Sequence, residues 1–184
     1  EKLGGQSVKP VRIFILAGQS NMEGAGVIAG GSNQRNGGKG TLEFLVNKSD
    51  RAANYQHTID SAGNWRVRND VWIWYLGRKG GLTVGYGAKK DRIGPEFQFG
   101  HTVGNYFEEP VLIIKIAWGG KSLAKDFRPP SSGGEVGAYY QGMLKQIASV
   151  TGNLSKEFPE LKDCKVVLSG FGWHQGWNDG CSKE

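Results

Sequence analysis

The chain has 184 residues, of which 38% are hydrophobic and 22% are charged. This length suits one domain with a sizeable core, and the composition argues against both an intrinsically disordered chain and a membrane protein. No apolar run approaches the roughly 20 residues that a membrane-spanning helix needs. We therefore predict that residues 1–184 form a single globular domain.

The net charge is +6, from 23 basic and 17 acidic residues. These charges are spread along the chain without a block of five or six like charges, and no nucleic-acid-binding motif accompanies them. We interpret the excess of basic residues as a solvated surface, and we expect no nucleic-acid partner.

The two cysteines, Cys164 and Cys181, lie before and well beyond a predicted strand. A strand advances about 3.3 Å per residue, so their Cα atoms should be further apart than the ~7 Å limit for a disulfide. We predict that they do not pair, and they give no indication of the cellular compartment.

Three short apolar runs, at residues 11–17, 111–117 and 165–171, are typical of strands that are buried on both faces. Apolar residues at helical spacing between them predict one helix over 96–107 and another over 139–158. Strands that alternate with helices favour parallel βαβ crossovers. The pattern therefore predicts an α/β fold with a central parallel sheet.

Residues 24–94 interrupt this alternation with glycine-rich and polar sequence, which predicts a loop insertion with some β content. Within it, the alternating segment at 71–76 predicts a strand that pairs with residues 82–86 across the turn-rich GRKGG. The chain contains 30 glycines, but they form neither of the common nucleotide-binding motifs. Most of them are expected in turns and close backbone contacts.

Each of the three predicted buried strands ends in a cluster of small or polar residues. The clusters are GQSNM at 18–22, WGGKS at 118–122 and WHQGWND at 173–179. In an open parallel sheet, the carboxyl ends of the strands face one crevice. We therefore expect the three clusters to converge and to form the functional site.

Ser20 directly follows the first predicted strand, between Gln19 and Asn21. At a turn from strand to helix its hydroxyl could be exposed as a nucleophile, but serine also commonly caps helices. This cluster alone leaves both roles open. The other two clusters favour acyl transfer, because they offer backbone N–H groups and side-chain amides that could stabilise an oxyanion.

GQSNM, WGGKSL and WHQGWND resemble blocks I, II and III of the SGNH hydrolases, in the branch of sialate O-acetylesterases and carbohydrate esterase family 6 acetylxylan esterases. GPEFQFG at 94–100 resembles a further segment of that branch. The resemblance spans 11–179, although 24–93 match only loosely. It implies a flavodoxin-like three-layer α/β/α sandwich and a secreted or periplasmic serine esterase. Such an enzyme removes O-acetyl groups from a sugar or polysaccharide without a metal or an organic cofactor.

The resemblance also implies roles for individual residues. Ser20 would be the nucleophile, and its own N–H would contribute to the oxyanion hole. Gly120, or its neighbour Gly119, would provide the second donor. The third donor is Asn178 by the general GxND pattern and Gln175 by the WxQG pattern of this branch. Both are present, and the branch pattern slightly favours Gln175.

Two departures from the family pattern concern the general base. In the family, the general base is the histidine of a DxxH motif near the C-terminus, and this sequence does not contain that motif. In some members a glutamate orients this histidine, and Trp177 occupies the position of that glutamate here. His57, His101 and His174 are all expected to be non-catalytic, with His174 the best-placed substitute base.

Only three strands are evident where the family has about five, so the pattern predicts a truncated domain without its last strands and closing helix. An uncovered sheet edge would favour self-association. Two alternatives to hydrolysis stay open. One is a non-catalytic carbohydrate-binding domain that has lost its base, and the other is an acyltransferase that uses the same serine.

Overall fold

The computed structural model of the chain describes residues 9–30 and 35–181. The strands are β1 (Pro10–Gly18), β2 (Gly26–Val27), β3 (Val71–Tyr75), β4 (Arg78–Gly81), β5 (Arg92–Ile93), β6 (Val111–Ala117) and β7 (Lys165–His174). The α-helices are α1 (Ser20–Glu23), α2 (Leu42–Asn47), α3 (Pro95–Tyr106), α4 (Ala138–Gly152), α5 (Leu154–Glu157) and α6 (Trp177–Cys181). Short 3₁₀ turns lie at Arg35–Gly38, Ala52–Thr58, Pro130–Ser132 and Pro159–Leu161.

Five strands form the central sheet in the order β4-β3-β6-β1-β7. The strands β3, β6, β1 and β7 are parallel, and β4 is antiparallel to β3. The strands β2 and β5 form a separate antiparallel pair. The predicted α/β class is therefore confirmed, with a sheet that is mostly parallel.

Helices cover both faces of the sheet. Successive residues of a strand point to opposite sides, so neighbouring residues of β1 contact different helices. Ile13 of β1 lies in an apolar cluster with Met143 of α4. Its neighbour Phe14 lies in the opposite cluster and contacts Phe99 of α3, with the ring centroids 5.3 Å apart. Full burial of such side chains contributes about 1.5–3 kcal/mol each. The result is the predicted three-layer arrangement.

The structure differs from one predicted helix. Residues 139–158 form two helices, α4 and α5, which are separated at Asn153. The Asn153 side chain donates a hydrogen bond to the Ser149 carbonyl at 2.8 Å, and Gly152 precedes it. Glycine and asparagine both favour helix ends. The apolar spacing continues across residues 152 and 153, but these two residue types indicate that the helix ends there.

The predicted hairpin forms, but the predicted position of its second strand is wrong. The second strand is β4, and most of the GRKGG segment lies in this strand and not in the turn. The chain reverses at Leu76 and Gly77, whose φ angles are 47° and 87°. A two-residue type I′ turn requires positive φ angles at both residues. Leucine rarely adopts a positive φ, so the sequence does not indicate a turn at Leu76. Because β3 also pairs with β6, segment 24–94 supplies two strands of the central sheet.

In the part of the chain that the structure describes, β7 pairs on one side only, with β1. Several of its apolar side chains are exposed, including Leu168 at 68% and Phe171 at 55%. An unpaired strand with apolar side chains can pair with another chain. Self-association through this edge stays a prediction.

Cys164 and Cys181 are both free thiols in the structure, as the spacing predicted. Within residues 9–30 and 35–181, no helix combines the length and the apolar character needed to cross a membrane.

Candidate active site

The three clusters meet at the carboxyl edge of the sheet. Gly18 at the end of β1 is in register with Ala117 of β6 and with His174 of β7. Main-chain hydrogen bonds extend this pairing, from Trp118 N to the Gly18 carbonyl at 3.1 Å and from Gln19 N to the His174 carbonyl at 3.2 Å. The parallel strands thus bring together residues that are far apart in sequence.

Position 18 requires glycine. A methyl group on Gly18 would lie 2.1 Å from the main-chain oxygen of His174, and the φ angle of Gly18 is +152°. Since this contact is with backbone, it could be relieved only by moving the strands apart. The close approach of β1 and β7 therefore fixes the positions of Gln19 and Ser20, the two residues that follow β1.

Ser20 is the first residue of α1 and is exposed. The residue at the N-cap of this helix is Gln19, and no side chain caps the helix. Ser20 therefore does not have the capping role that its sequence position also allowed. Its hydroxyl lies at the turn from β1 to α1, where an attacking oxygen could meet a substrate.

Two glycines of the loop after β6 lie beside the predicted site residues. A methyl group on Gly119 would lie 3.8 Å from Ser20 Cβ, and one on Gly120 would lie 3.9 Å from Asn178 Nδ2. Gly120 also has a φ of +72°, in the left-handed region that favours glycine. The loop therefore brings bare backbone between Ser20 and Asn178.

The side-chain nitrogen of Gln175 is already engaged. Gln175 Nε2 donates to the Lys121 carbonyl at 2.7 Å, and Gln19 Oε1 at 3.3 Å and Asp179 Oδ2 at 3.4 Å share its other proton. The Lys121 carbonyl can only accept, so it fixes the orientation of the amide. By contrast, Asn178 Nδ2 makes no hydrogen bond to the described residues. Gln175 therefore holds the loops together, whereas no residue of 9–30 or 35–181 engages the side-chain amide nitrogen of Asn178.

Asp179 connects α6 to the loop after β6. Its carboxylate accepts hydrogen bonds from the backbone N–H groups of Leu123 and Ala124, each at 2.8 Å. Burial alone would raise the pKa of Asp179, but these hydrogen bonds outweigh it and hold the pKa below its ordinary value. Asp179 is thus a charged anchor that holds the second and third clusters together.

Glu23 is a site residue that the sequence analysis missed. It ends α1 one turn after Ser20 and is half-buried. Glu23 Oε1 accepts a hydrogen bond from the Tyr75 hydroxyl at 3.4 Å, and a methyl group on Gly119 would lie 2.9 Å from Oε2. The spacing of three residues was a usable signal, because residues i and i+3 of a helix are neighbours.

A buried ion pair lies beneath α1. Lys115 of β6 and Glu96 of α3 both have fully buried side chains, and Lys115 Nζ lies 2.5 Å from Glu96 Oε2. Burial raises the pKa of Glu96 and lowers the pKa of Lys115, and in each case the charge of the partner opposes the shift. A lysine inside an otherwise apolar strand was the sequence signal for this pair.

The three histidines lie in two places. His57 and His101 are neighbours, with ring centroids 5.0 Å apart, and His101 packs against Phe97 of α3. Burial lowers the pKa of His101 to about 4. His174 ends β7 and is exposed. Within residues 9–30 and 35–181, no hydrogen bond joins the Ser20 hydroxyl to a histidine.

The chain is similar to one known protein family. The model of a protein family described as carbohydrate esterase, sialic acid-specific acetylesterase (SASA), matches residues 10–184. No curated protein sequence matches the chain.

The chain is also similar to the X-ray structure of a protein from Arabidopsis thaliana, with a TM-score of 0.51 and 16% identity. The match covers 92% of this chain, which spans 59% of the length of the plant chain. At this level of identity, the likeness supports the fold alone.

Proposed function

The chain belongs to the family of carbohydrate esterases described as sialic acid-specific acetylesterases, and on that premise we propose that it is a serine esterase that removes O-acetyl groups from carbohydrate. The observation that carries the proposal is the exposed position of Ser20 at the point where three strand ends meet. The substrate would be an acetylated sugar or polysaccharide, which fits a secreted or periplasmic enzyme.

In the proposed reaction, the Ser20 oxygen attacks the acetyl carbonyl carbon and gives its proton to a general base. The tetrahedral intermediate then breaks its bond to the sugar oxygen, which takes up that proton and leaves as an alcohol. Water attacks the acetyl-serine in the second half, releasing acetate and restoring Ser20. No metal or organic cofactor takes part in these steps.

The developing oxyanion needs donors that are already in position. We assign these donors to the backbone N–H groups of Ser20 and Gly120 and to the side-chain amide of Asn178. Asn178 Nδ2 lies beside Gly120 and makes no hydrogen bond to the described residues, which supports this choice. Gln175, which the branch pattern favours, is the alternative donor, and it would first have to release the Lys121 carbonyl.

The proposal takes His174, the best-placed substitute among three histidines expected to be non-catalytic, as the general base, because its main chain pairs with Gly18, two residues before Ser20. One observation favours a second candidate function, a carbohydrate-binding domain without catalysis. Among the described residues, no histidine forms a hydrogen bond with the Ser20 hydroxyl, and serine without a base is a poor nucleophile.

A fluorophosphonate ester separates these two functions. An activated serine displaces fluoride and forms a stable bond to phosphorus, which mass spectrometry locates. The esterase proposal predicts a single modified peptide that contains Ser20, and no adduct in Ser20→Ala. An unmodified Ser20, in a chain that still binds acetylated sugars, would favour the non-catalytic function.

A further inference from the structure

Gln19 is a buried polar residue that directly precedes the proposed nucleophile. Only 1% of its surface is exposed, at the turn from β1 to α1. Burying an amide costs free energy unless hydrogen bonds compensate for the lost water. The contacts of this side chain therefore indicate what it contributes to the site.

The side-chain oxygen of Gln19 contacts the third cluster. Gln19 Oε1 accepts hydrogen bonds from the backbone N–H of Asn178 at 3.2 Å and from Gln175 Nε2 at 3.3 Å. Asn178 is the second residue of α6, and the first backbone N–H groups of a helix have no partner within the helix. Gln19 thus caps α6 from 159 positions away in the sequence.

The oxygen alone makes this contact. A backbone N–H only donates, so the Asn178 N–H has to face Oε1 of Gln19 and not its nitrogen. Gln19 Nε2 is buried and has no hydrogen-bond partner among the described residues. A substitution that removes the oxygen therefore removes the contact with α6.

Two side chains hold α6 to different parts of the site. Asp179 ties it to the loop after β6, through the N–H groups of Leu123 and Ala124. Gln19 ties it to the turn that carries Ser20. With five residues, α6 has little stability of its own. Its position relative to Ser20 therefore depends on the contact with Gln19.

We propose that Gln19 is a positioning residue for the oxyanion hole, because its side-chain oxygen holds Asn178 where Nδ2 can donate to the oxyanion. Gln19 is itself too buried to touch the substrate. Oxyanion donors act only when they are already in place, and a displacement of about 1 Å can lower a rate about 10²-fold. The inference rests on the proposed function, because it takes Asn178 as an oxyanion donor.

Gln19→Met removes the acceptor and keeps the length of the side chain. We expect kcat for a chromogenic acetate ester to fall at least about tenfold, with KM changed by less than about twofold, because Gln19 does not contact the ester. The matched control is Gln146→Met, at a half-buried glutamine of α4 whose Oε1 accepts no hydrogen bond from the described residues. It should leave both constants unchanged.

A double-mutant cycle separates positioning from a general loss of structure. In Asn178→Ala there is no side-chain amide to position, so adding Gln19→Met should lower kcat by less than about a further twofold. A general loss of structure would lower kcat by the same factor in both backgrounds.

Hydrogen exchange of the Asn178 backbone amide, followed by NMR, tests the contact without any reaction. The amide should exchange at least about tenfold faster in Gln19→Met than in the wild type, because it loses its acceptor. Gln19→Asn keeps the amide but withdraws the oxygen by one methylene. It should give the same pattern even if Gln19→Met does not fold.

An unchanged kcat in both Gln19 variants would overturn the inference, and so would equal losses of kcat with and without Asn178→Ala. Failure of the proposed function is a separate result, because a wild-type chain that hydrolyses no acetate ester contradicts catalysis. Exchange at Asn178 then decides the contact on its own. An exchange rate that neither Gln19 variant changes would show that Gln19 does not hold this residue.

Discussion

The Lys115 ammonium donates a hydrogen bond to the main-chain carbonyl of Glu23 at 2.6 Å. Glu23 is the last residue of the four-residue helix that begins at Ser20, so a buried cation on β6 holds the helix that carries the proposed nucleophile. Lys115 also donates to the Tyr86 carbonyl and to Glu96. A helix of one turn has little stability of its own, and these contacts supply the support that it lacks.

Removing this cation should destabilise the fold. Lys115→Met leaves the Glu96 carboxylate buried without its partner, which typically costs about 3–5 kcal/mol in the free energy of unfolding. Urea denaturation measures this loss. The double variant Lys115→Met with Glu96→Gln should lose less than Lys115→Met alone, because no charge stays buried. A loss below about 1 kcal/mol in Lys115→Met would contradict a supporting role.

Asn178 and Gln175 should respond differently to substitution. Asn178→Ala is expected to lower kcat about 10²-fold by removing an oxyanion donor, with the free energy of unfolding unchanged. Gln175→Ala should lower the free energy of unfolding by about 1–2 kcal/mol, because the Lys121 carbonyl loses its donor. Ester hydrolysis and urea denaturation are measured on both variants. A loss of kcat that is confined to Gln175→Ala, with no loss of stability, would return the donor role to Gln175.

The buried His101 should make stability depend on pH. Burial lowers its pKa to about 4, below the ordinary value of about 6.5, so folding favours the neutral ring. This stabilisation is fully present above about pH 6.5 and is lost as the pH falls towards 4. Between pH 7 and pH 5, the free energy of unfolding should fall by about 2 kcal/mol more in the wild type than in His101→Leu.

Urea denaturation of the wild type and of His101→Leu at each pH measures this effect. Identical profiles for His101→Leu and the wild type would show that His101 is not the titrating group.

Much of the fold and the position of the site follow from the sequence. Continuous apolar runs identify β1, β6 and β7, and parallel strands place their carboxyl ends together whatever the intervening sequence. The sequence therefore predicts that Ser20, Gly120, Gln175 and Asn178 converge, and the structure places all four at that edge.

The place of β3 in the sheet and the contacts of Gln175 and Glu23 depend on tertiary structure, which no local sequence pattern indicates. The alternation in β3 predicts a strand, but not that this strand pairs with β6 inside the central sheet. The sequence offers both Gln175 and Asn178 as donors, and no local pattern reveals that the Gln175 amide donates to the Lys121 carbonyl. The three-residue spacing places Glu23 near Ser20 but does not reveal its contact with the Tyr75 hydroxyl of β3.

The most direct test of the account is the hydrolysis of a chromogenic acetate ester by the wild-type chain and by Ser20→Ala. We expect the wild type to turn over the ester and Ser20→Ala to lose at least about 10³-fold in rate, with an unchanged unfolding temperature. Ser155→Ala, which removes an exposed serine of α5, should hydrolyse the ester like the wild type. Equal turnover by Ser20→Ala and the wild type would contradict the assignment of Ser20 as the nucleophile.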